Sequence, residues 1–421
     1  MRVQQAEPRA AAAPLAGVRV LDLTRILAGP WATQNLADLG AEVIKIENPQ
    51  GGDDTRRMGP PFVRNAATGE HSDAAYFLAA NRGKESVAID IATPEGSKLV
   101  RALAAKCDVL VENYKVGGLA KYGLDYDSLC AELPGLIYCS ITGFGQTGPY
   151  RQRAGYDYLI QGMGGLMSVT GEPDGEPGGG PQRAGVALAD ILSGMYASMA
   201  ILAALRHRDA GGSGQHIDIG MLDVQVATLA NQAMNYLTTG NAPGRMGKGH
   251  LNIVPYGAFP AYDGHLILAV GNDAQFRRMA QAMDRPDIGE DPRFATIALR
   301  VANRDVLVPM LEAITKTRYI DAWVAAMEKV DVPCGPINTI DRVFADPQVR
   351  ARGMRLELPH QASKSVPSVA NPIRFSGTPI RYGDGPPALG QHTRAVLQRV
   401  LGMADETFGE LAAQGAIRET P

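Results

Sequence analysis

Apolar runs of strand length alternate with helical periodicity through the first half of the chain. Residues 18–23 (VRVLDL) form the first such run, followed by a loop over 24–29 and a helix that Pro30 opens and Gly40 closes. Residues 42–47 (EVIKIE) return as a second strand. Further strands are expected at 87–91, 108–112 and 136–141, with Thr93, Pro94 and Glu95 opening a helix between the first two of these. Strand-helix-strand repetition implies a parallel sheet with right-handed crossovers. The fold class it predicts is α/β, with a large doubly wound, Rossmann-like domain.

The longest apolar segment, residues 185–208 (GVALADILSGMYASMAILAALRHR), reads as a helix. Ile191, Met195, Met199 and Leu202 recur at three- and four-residue spacing, which predicts a face turned to a core. Asp190 falls at or near the N-cap. There the helix N-terminus favours the ionised carboxylate by roughly 0.3–1 kcal/mol, so an anion is expected at neutral pH. The plain alternative is that Asp190 is only a cap. Gly185, Ser193 and Gly194 keep its surroundings small, and residues 171–180 (GEPDGEPGGG) read as a flexible surface loop.

Past a break at 211–214, a brief strand at 216–219 and a second apolar helix at 221–237 lead to a glycine- and base-containing loop, 239–249 (TGNAPGRMGKG). Residues 256–270 read as a hairpin turning at Asp263 and Gly264, and helices follow at 276–283 and 306–329. The predicted organisation is a disordered tail over 1–17, a large domain beginning with 18–220, a smaller α+β domain over 221–335, and a return to the large domain over 336–421. That return is expected to be helix-poor until 394–401.

Net charge is −3 over 421 residues, with 45% hydrophobic and 20% charged positions. This composition suits a soluble globular enzyme and provides no field for nucleic acid or membranes. No stretch is expected to reach membrane length. The four cysteines form no C-x-x-C pair, so reduced thiols, a cytoplasmic protein and no metal are expected. Glu47 ends the second strand where a ribose-binding acid would sit, but the preceding loop lacks G-x-G-x-x-G, which argues against a dinucleotide.

Several stretches in order carry a resemblance: 15–30 (LAGVRVLDLTRILAGP), 39–47 (LGAEVIKIE), 81–90 (NRGKESVAID), 111–114 (VENY), 141–149 (ITGFGQTGP), the Asp190 segment and 390–393 (GQHT). Together they resemble the class III CoA-transferases, the formyl-CoA transferase and carnitine CoA-transferase group, along nearly the whole chain. The resemblance implies an interlocked homodimer and coenzyme A or acyl-CoA as substrate, with no permanently bound cofactor. It further implies that Asp190 is the nucleophile, passing through a mixed anhydride to an aspartyl-CoA thioester. A carboxylate in that role gains from desolvation and placement.

The resemblance also places Ile26, Ile89, Asn113 and Tyr114 along the adenine and pantetheine. It puts Lys121, followed by Tyr122, at a phosphate-binding position. Asn48 stands where some members have an arginine, and Arg56, Arg57 or Lys115 would supply the missing charge. Each of these cations, taken singly, reads equally well as a solvated surface residue. Tyr156 matches the tyrosine that approaches the acyl group. The related α-methylacyl-CoA racemases carry a histidine there, and no histidine lies between His71 and His207. Transfer is therefore favoured over racemisation, and CoA binding without chemistry, with Asp190 only a cap, is a separate alternative. Residues 162–171 and 247–259 look most like the succinyl-CoA-dependent dicarboxylate branch. Arg245, Lys248 or His250 would meet a second carboxylate, unless that loop is simply exposed.

Overall fold

The computed structural model describes residues 12–419. The chain divides into two compact units, the first built from the described parts of Met1–Gly165, Gly185–Ala230 and Arg350–Pro421, the second from Leu166–Ala184 and Asn231–Val349. The second unit thus starts ten residues later than the expected small domain, takes in the glycine-rich loop and runs on to residue 349. Of the expected disordered tail, residues 1–11 lie outside the described residues. Residues 13–16 form a turn, and Leu15 is buried with its N–H donating to the Leu39 carbonyl at 3.0 Å.

In chain order the first strands are β1 (Arg19–Asp22), β2 (Glu42–Glu47), β3 (Phe62–Arg64), β4 (His71–Ala74), β5 (Lys84–Ile89), β6 (Val109–Glu112), β7 (Ile137–Thr142) and β8 (His216–Gly220). The second unit holds β9 (Tyr256–Ala261), β10 (Gly264–Ala269) and β11 (Cys334–Pro336), and the chain closes with β12 (Arg355–His360), β13 (Lys364–Val369) and β14 (Ile417–Arg418). Among the described residues the large sheet has the order β14-β5-β2-β1-β6-β7-β8. Its pairs are parallel except β14 with β5. β5 starts at Lys84, three residues before its apolar run, because Lys84 and Ser86 are buried against polar partners.

The helices of the first unit include α1 (Ala28–Asp38), α2 (Ala75–Leu78), α3 (Pro94–Ala104), α4 (Tyr126–Cys130), α5 (Asp157–Met163), α6 (Leu188–Asp209) and α7 (Met221–Ala227). Side chains alternate across the strands. Val20, Val43, Val109 and Ile137 share a core with residues of α1 and α6. Leu21, Ile44, Val87 and Leu110 share one with α3 and the helix Thr393–Leu401 on the other face. The sheet is therefore doubly wound, as expected.

α6 does not turn its large residues inward. Ala189, Ser193, Gly194, Ala197 and Ser198 are buried, while Met195, Met199 and Leu202 are exposed by 46%, 59% and 36%. Small side chains bring α6 against α1 so closely that a Cβ on Gly194 would lie 2.5 Å from the Ala28 carbonyl oxygen. At 22 residues, α6 also has the length and apolarity to cross a membrane, contrary to expectation, though 44% of that apolar stretch is buried.

In the second unit β9 and β10 form the expected hairpin, with β11 on the outer side of β10 where a turn is expected. The helix expected at 306–329 is two, Arg304–Thr315 and Ile320–Glu328, since the Trp323 indole N–H takes the freed Thr315 carbonyl at 2.8 Å. The helix expected at 221–237 likewise divides, into α7 and Ala230–Thr239, where Ala230 adopts a φ of +47°. Helices Ile340–Ala345 and Pro347–Ala351 and the β12–β13 hairpin fill the stretch expected to be helix-poor.

Candidate active site

β1 lies between β2 and β6, so the chain winds outward in one direction through β2 and β5 and in the other through β7 and β8. Such a reversal opens a crevice beyond the carboxyl ends of the strands, where ligands bind in open α/β sheets. Two cavities lie there. The first, about 270 Å³, is lined by residues 25–28 after β1, Asn113 to Val116 after β6, Ile141 to Gly143 at the end of β7, Arg151, Arg153 to Asp157, Asp190 and Met221. The second, about 200 Å³, takes in Asn48, Ile89 to Ala92 and Tyr122. Arg25 and Tyr114 line both.

The structure brings Ile26, Asn113, Tyr114, Lys115, Tyr156 and Asp190 together in the first cavity, and Asn48, Ile89 and Tyr122 in the second. Gly143 and Gly155 permit the local geometry: a Cβ on Gly155 would stand 2.2 Å from the Gly143 Cα, so only glycines let these two chains touch. That contact delivers Tyr156, 72% exposed, and Asp157 to the cavity wall.

Asp190 is the third residue of α6, near the N-cap as expected, but it does not itself cap the helix. Asp157 caps it from α5: its Oδ1 accepts the N–H of Ala189 at 2.8 Å and of Asp190 at 3.4 Å, while Oδ2 accepts from Gln161 Nε2 at 2.7 Å. Burial, with the neighbouring Asp157 charge, pushes the Asp190 carboxyl up to about 7. The helix N-terminus, at roughly 0.3–1 kcal/mol, is the weaker effect. Asp190 is thus a poorly solvated carboxyl titrating near neutrality, where an unperturbed anion was expected. Tyr76, in α2, is raised by burial and next by the Asp190 charge, which places it near the carboxylate. Nothing in the sequence marks it.

The loop after β1 is held by three side chains. Asn113 Oδ1 accepts the Arg25 N–H at 2.9 Å and its Nδ2 donates to the Arg25 carbonyl at 2.7 Å. Asp53 Oδ1 accepts the Ile26 N–H at 3.2 Å, and Lys45 Nζ donates to the Thr24 carbonyl at 2.8 Å. Ile26 has a φ of +70°, a left-handed conformation that β-branched residues rarely adopt. Its backbone is held there from outside, and Asn113 is a clamp of this loop as well as a wall of the cavity.

Beneath the loop, Lys45 meets Asp53 at 3.0 Å and Lys84 meets Asp22 at 3.0 Å, all buried. Burial opposes the charge on Asp22, yet Lys84, Lys45 and the hydroxyls of Thr24 and Thr33 outweigh it and hold that carboxyl below its usual range. Burial lowers Lys84 to about 8. The stretches 39–47, 81–90 and 390–393 meet in this framework, where Thr393 Oγ1 accepts the Ala88 N–H at 3.0 Å and Ser86 Oγ accepts the Gly390 N–H at 2.9 Å.

Several expected phosphate contacts are corrected. Arg56 is buried, doubly bonded to Glu47 at 2.6 and 2.8 Å and paired with Asp73 at 2.9 Å, its guanidinium 3.7 Å from the centre of the Phe77 ring. It is a framework residue, and Glu47 is its partner. Arg57 is exposed, donating to the Gly51 carbonyl and pairing with Asp54 at 3.1 Å. Lys121 is exposed, with its ammonium 4.7 Å from the Tyr122 ring centre. The cations lining the first cavity are Arg25, Lys115, Arg151 and Arg153. Arg25 adjoins Ile26, so its position in the 15–30 stretch was the available signal.

Arg245, Lys248 and His250 belong to the second unit. Arg245 is ion-paired with Asp174 and donates to the Glu172 carbonyl at 3.0 Å, and Lys248 pairs with Glu312 at 2.7 Å. His250 Nδ1 accepts the Asn252 N–H at 3.1 Å. Lys248 and His250 line a cavity of about 420 Å³ within that unit. An acceptor carboxylate binding Arg245 or Lys248 would have to compete with these carboxylate partners.

Residues 15–393 match the family described as CoA-transferase family III. The chain is 54% identical over 384 residues to the succinate–glutarate CoA-transferase of Agrobacterium fabrum, covering 91% of this chain and 95% of that one. It is 43% identical over 404 residues to human succinyl-CoA:glutarate CoA-transferase, covering 96% and 90%. A CAIB/BAIF family protein from Brucella suis has a crystal structure that superposes with a TM-score of 0.81 at 51% identity, covering 93% of this chain and all of that one. A carboxylate at the switch-point cavity of a doubly wound sheet, and these matches over nine-tenths of the chain, place the protein in CoA-transferase family III.

Proposed function

We propose that the enzyme moves CoA from succinyl-CoA to a small dicarboxylic acid of the glutarate class, with Asp190 as covalent nucleophile. The observation that carries the reading is the poorly solvated Asp190 carboxyl in a cavity with the Ile26 loop and Tyr156. The Asp190 carboxylate attacks the thioester carbonyl, forming a mixed anhydride and releasing CoA thiolate. The thiolate then attacks the Asp190 carbonyl, giving aspartyl-CoA thioester and free succinate. The acceptor carboxylate repeats both steps in reverse, leaving its own CoA thioester and a regenerated Asp190. No water enters, so the thioester energy is retained, and a buried carboxyl suits that exclusion.

The exposed Met195, Tyr196, Met199 and Leu202 on α6 support a homodimer in which a second copy covers this face. Intact-mass analysis after succinyl-CoA and hydroxylamine or borohydride, with peptide mapping, tests the chemistry. A hydroxamate or alcohol on Asp190 is expected, and Asp190→Asn should give no adduct and lose at least roughly a thousandfold in kcat. Full transfer by that variant would refute the assignment. Solvent deuterium entering the acyl α-position without an acceptor acid would point to racemisation instead.

A further inference from the structure

Behind the loop that follows β6 lies another cavity of about 300 Å³, lined among others by Glu112, Lys115, Tyr126, Ser140 and His216. Sheet register sets Glu112 opposite Ser140, and Tyr138 opposite His216. Ser140 Oγ lies 2.9 Å from His216 Nε2, and its hydroxyl favours the ionised form of Glu112. Tyr126 stacks on the His216 ring at 4.7 Å and 18°.

Glu112 is 6% exposed and ends the strand that leads into the CoA cleft. Its Oε2 accepts the Tyr114 N–H at 2.7 Å. Asn113 and Tyr114 line the cleft, and Lys115 lines both that cleft and the cavity behind it. The carboxylate therefore holds the backbone at Tyr114, the middle residue of this wall. We propose that Glu112, with Ser140 and His216 on the neighbouring strands, is the positioning residue of the 113–115 wall, and that its ionisation tightens the grip on CoA.

An ionised acceptor makes a shorter hydrogen bond to a backbone N–H, roughly twice as strong as a neutral one. The groups around Glu112 are few: Ser140 and Tyr138 on β7, His216 and Asp218 on β8, Lys115 on its own loop, and Asp125, Tyr126 and Asp127 at α4. Burial, with a smaller push from Asp218, raises Glu112 to about 7, against the bonds from Ser140 and the Tyr114 N–H. Burial lowers His216, so it is neutral when Glu112 ionises. The switch falls within the physiological range and works in one direction, toward a firmer wall as pH rises.

This inference rests on the reading that the cleft holds CoA. The test is calorimetric titration of the intact protein with free CoA from pH 6 to 8.5, for wild type, Glu112→Gln and Ser140→Ala. The side-chain amide of Glu112→Gln presents a neutral acceptor at every pH. Wild-type affinity should rise on the order of fivefold more than that of Glu112→Gln across this range. Ser140→Ala, which removes a bond to the anion, should move the inflection to higher pH, an effect that mere packing loss would not produce. Parallel profiles for wild type and Glu112→Gln, or an unmoved inflection in Ser140→Ala, overturn the inference while leaving CoA binding intact. A wild-type protein that binds no CoA removes the reading beneath it, and the inference with it.

Discussion

A carboxyl raised to about 7 by burial binds a proton in the folded protein that it has lost in the unfolded chain over the interval from 3.8 to 7. Asp190 therefore destabilises the fold progressively as pH rises through that interval, and the penalty is complete above it. Asp190→Asn removes the charge with little change of shape. We expect the variant's Tm to match wild type near pH 4 and exceed it increasingly up to pH 8, where the difference in unfolding free energy is on the order of 4 kcal/mol. A constant Tm difference at all pH values would show that burial of the charge is not its source. The Asp190 carboxylate stood out as a candidate because its motif is local. Its titration did not, because burial comes from residues 25–28, 141–143 and 154–157, far apart in sequence. Arg56 failed for the same reason: a cation in sequence does not announce that Glu47 and Asp73 have already claimed it.

Strands were the most legible elements, since unbroken apolar runs leave few alternatives, and β1, β2, β6 and β7 lie within two residues of their expected limits. α6 was legible in extent and misread in orientation. Its large residues recur at helical spacing, and so do its small ones, Ser193, Gly194, Ala197 and Ser198; close approach to α1 selects the small face. Gly194→Ala tests this directly. The added Cβ meets backbone at 2.5 Å and cannot be relieved by a rotamer change, so a loss of roughly 1–3 kcal/mol in chemical denaturation is expected. Since alanine is the better helix former by about 1 kcal/mol, a neutral or stabilising outcome would mean that the two helices part without strain.

For the molecule as a whole, the unit boundaries were the least legible feature, because the second unit is inserted into the first and borrows residues 166–184 from before α6. The glycine- and proline-rich run at 171–180 lies inside this segment but does not mark its limits. The apolar outer face of α6 belongs to this scale too. If a second copy covers it, a buried charge there should be intolerable: Met199→Glu is expected to shift sedimentation from dimer to monomer. A variant that sediments as wild type would leave that face without its proposed occupant.

The insertion also orders events at the ribosome. β5 carries Ile89 of the second cavity, and its outer neighbour in the sheet is β14, paired Ile417 to Ile89. Every residue of the second unit has been made before synthesis reaches residue 350. Residues 350–418 then take several seconds more, at roughly 5–20 residues per second. The smaller unit can mature on the nascent chain during that interval. The first unit cannot, for the strand that seals the edge of its sheet is still unmade, and an open edge invites pairing with other chains. The sheet edge at β5 therefore stays open to such pairing until residues 417–418 have been made, with the cleft already begun and its border strand still to come.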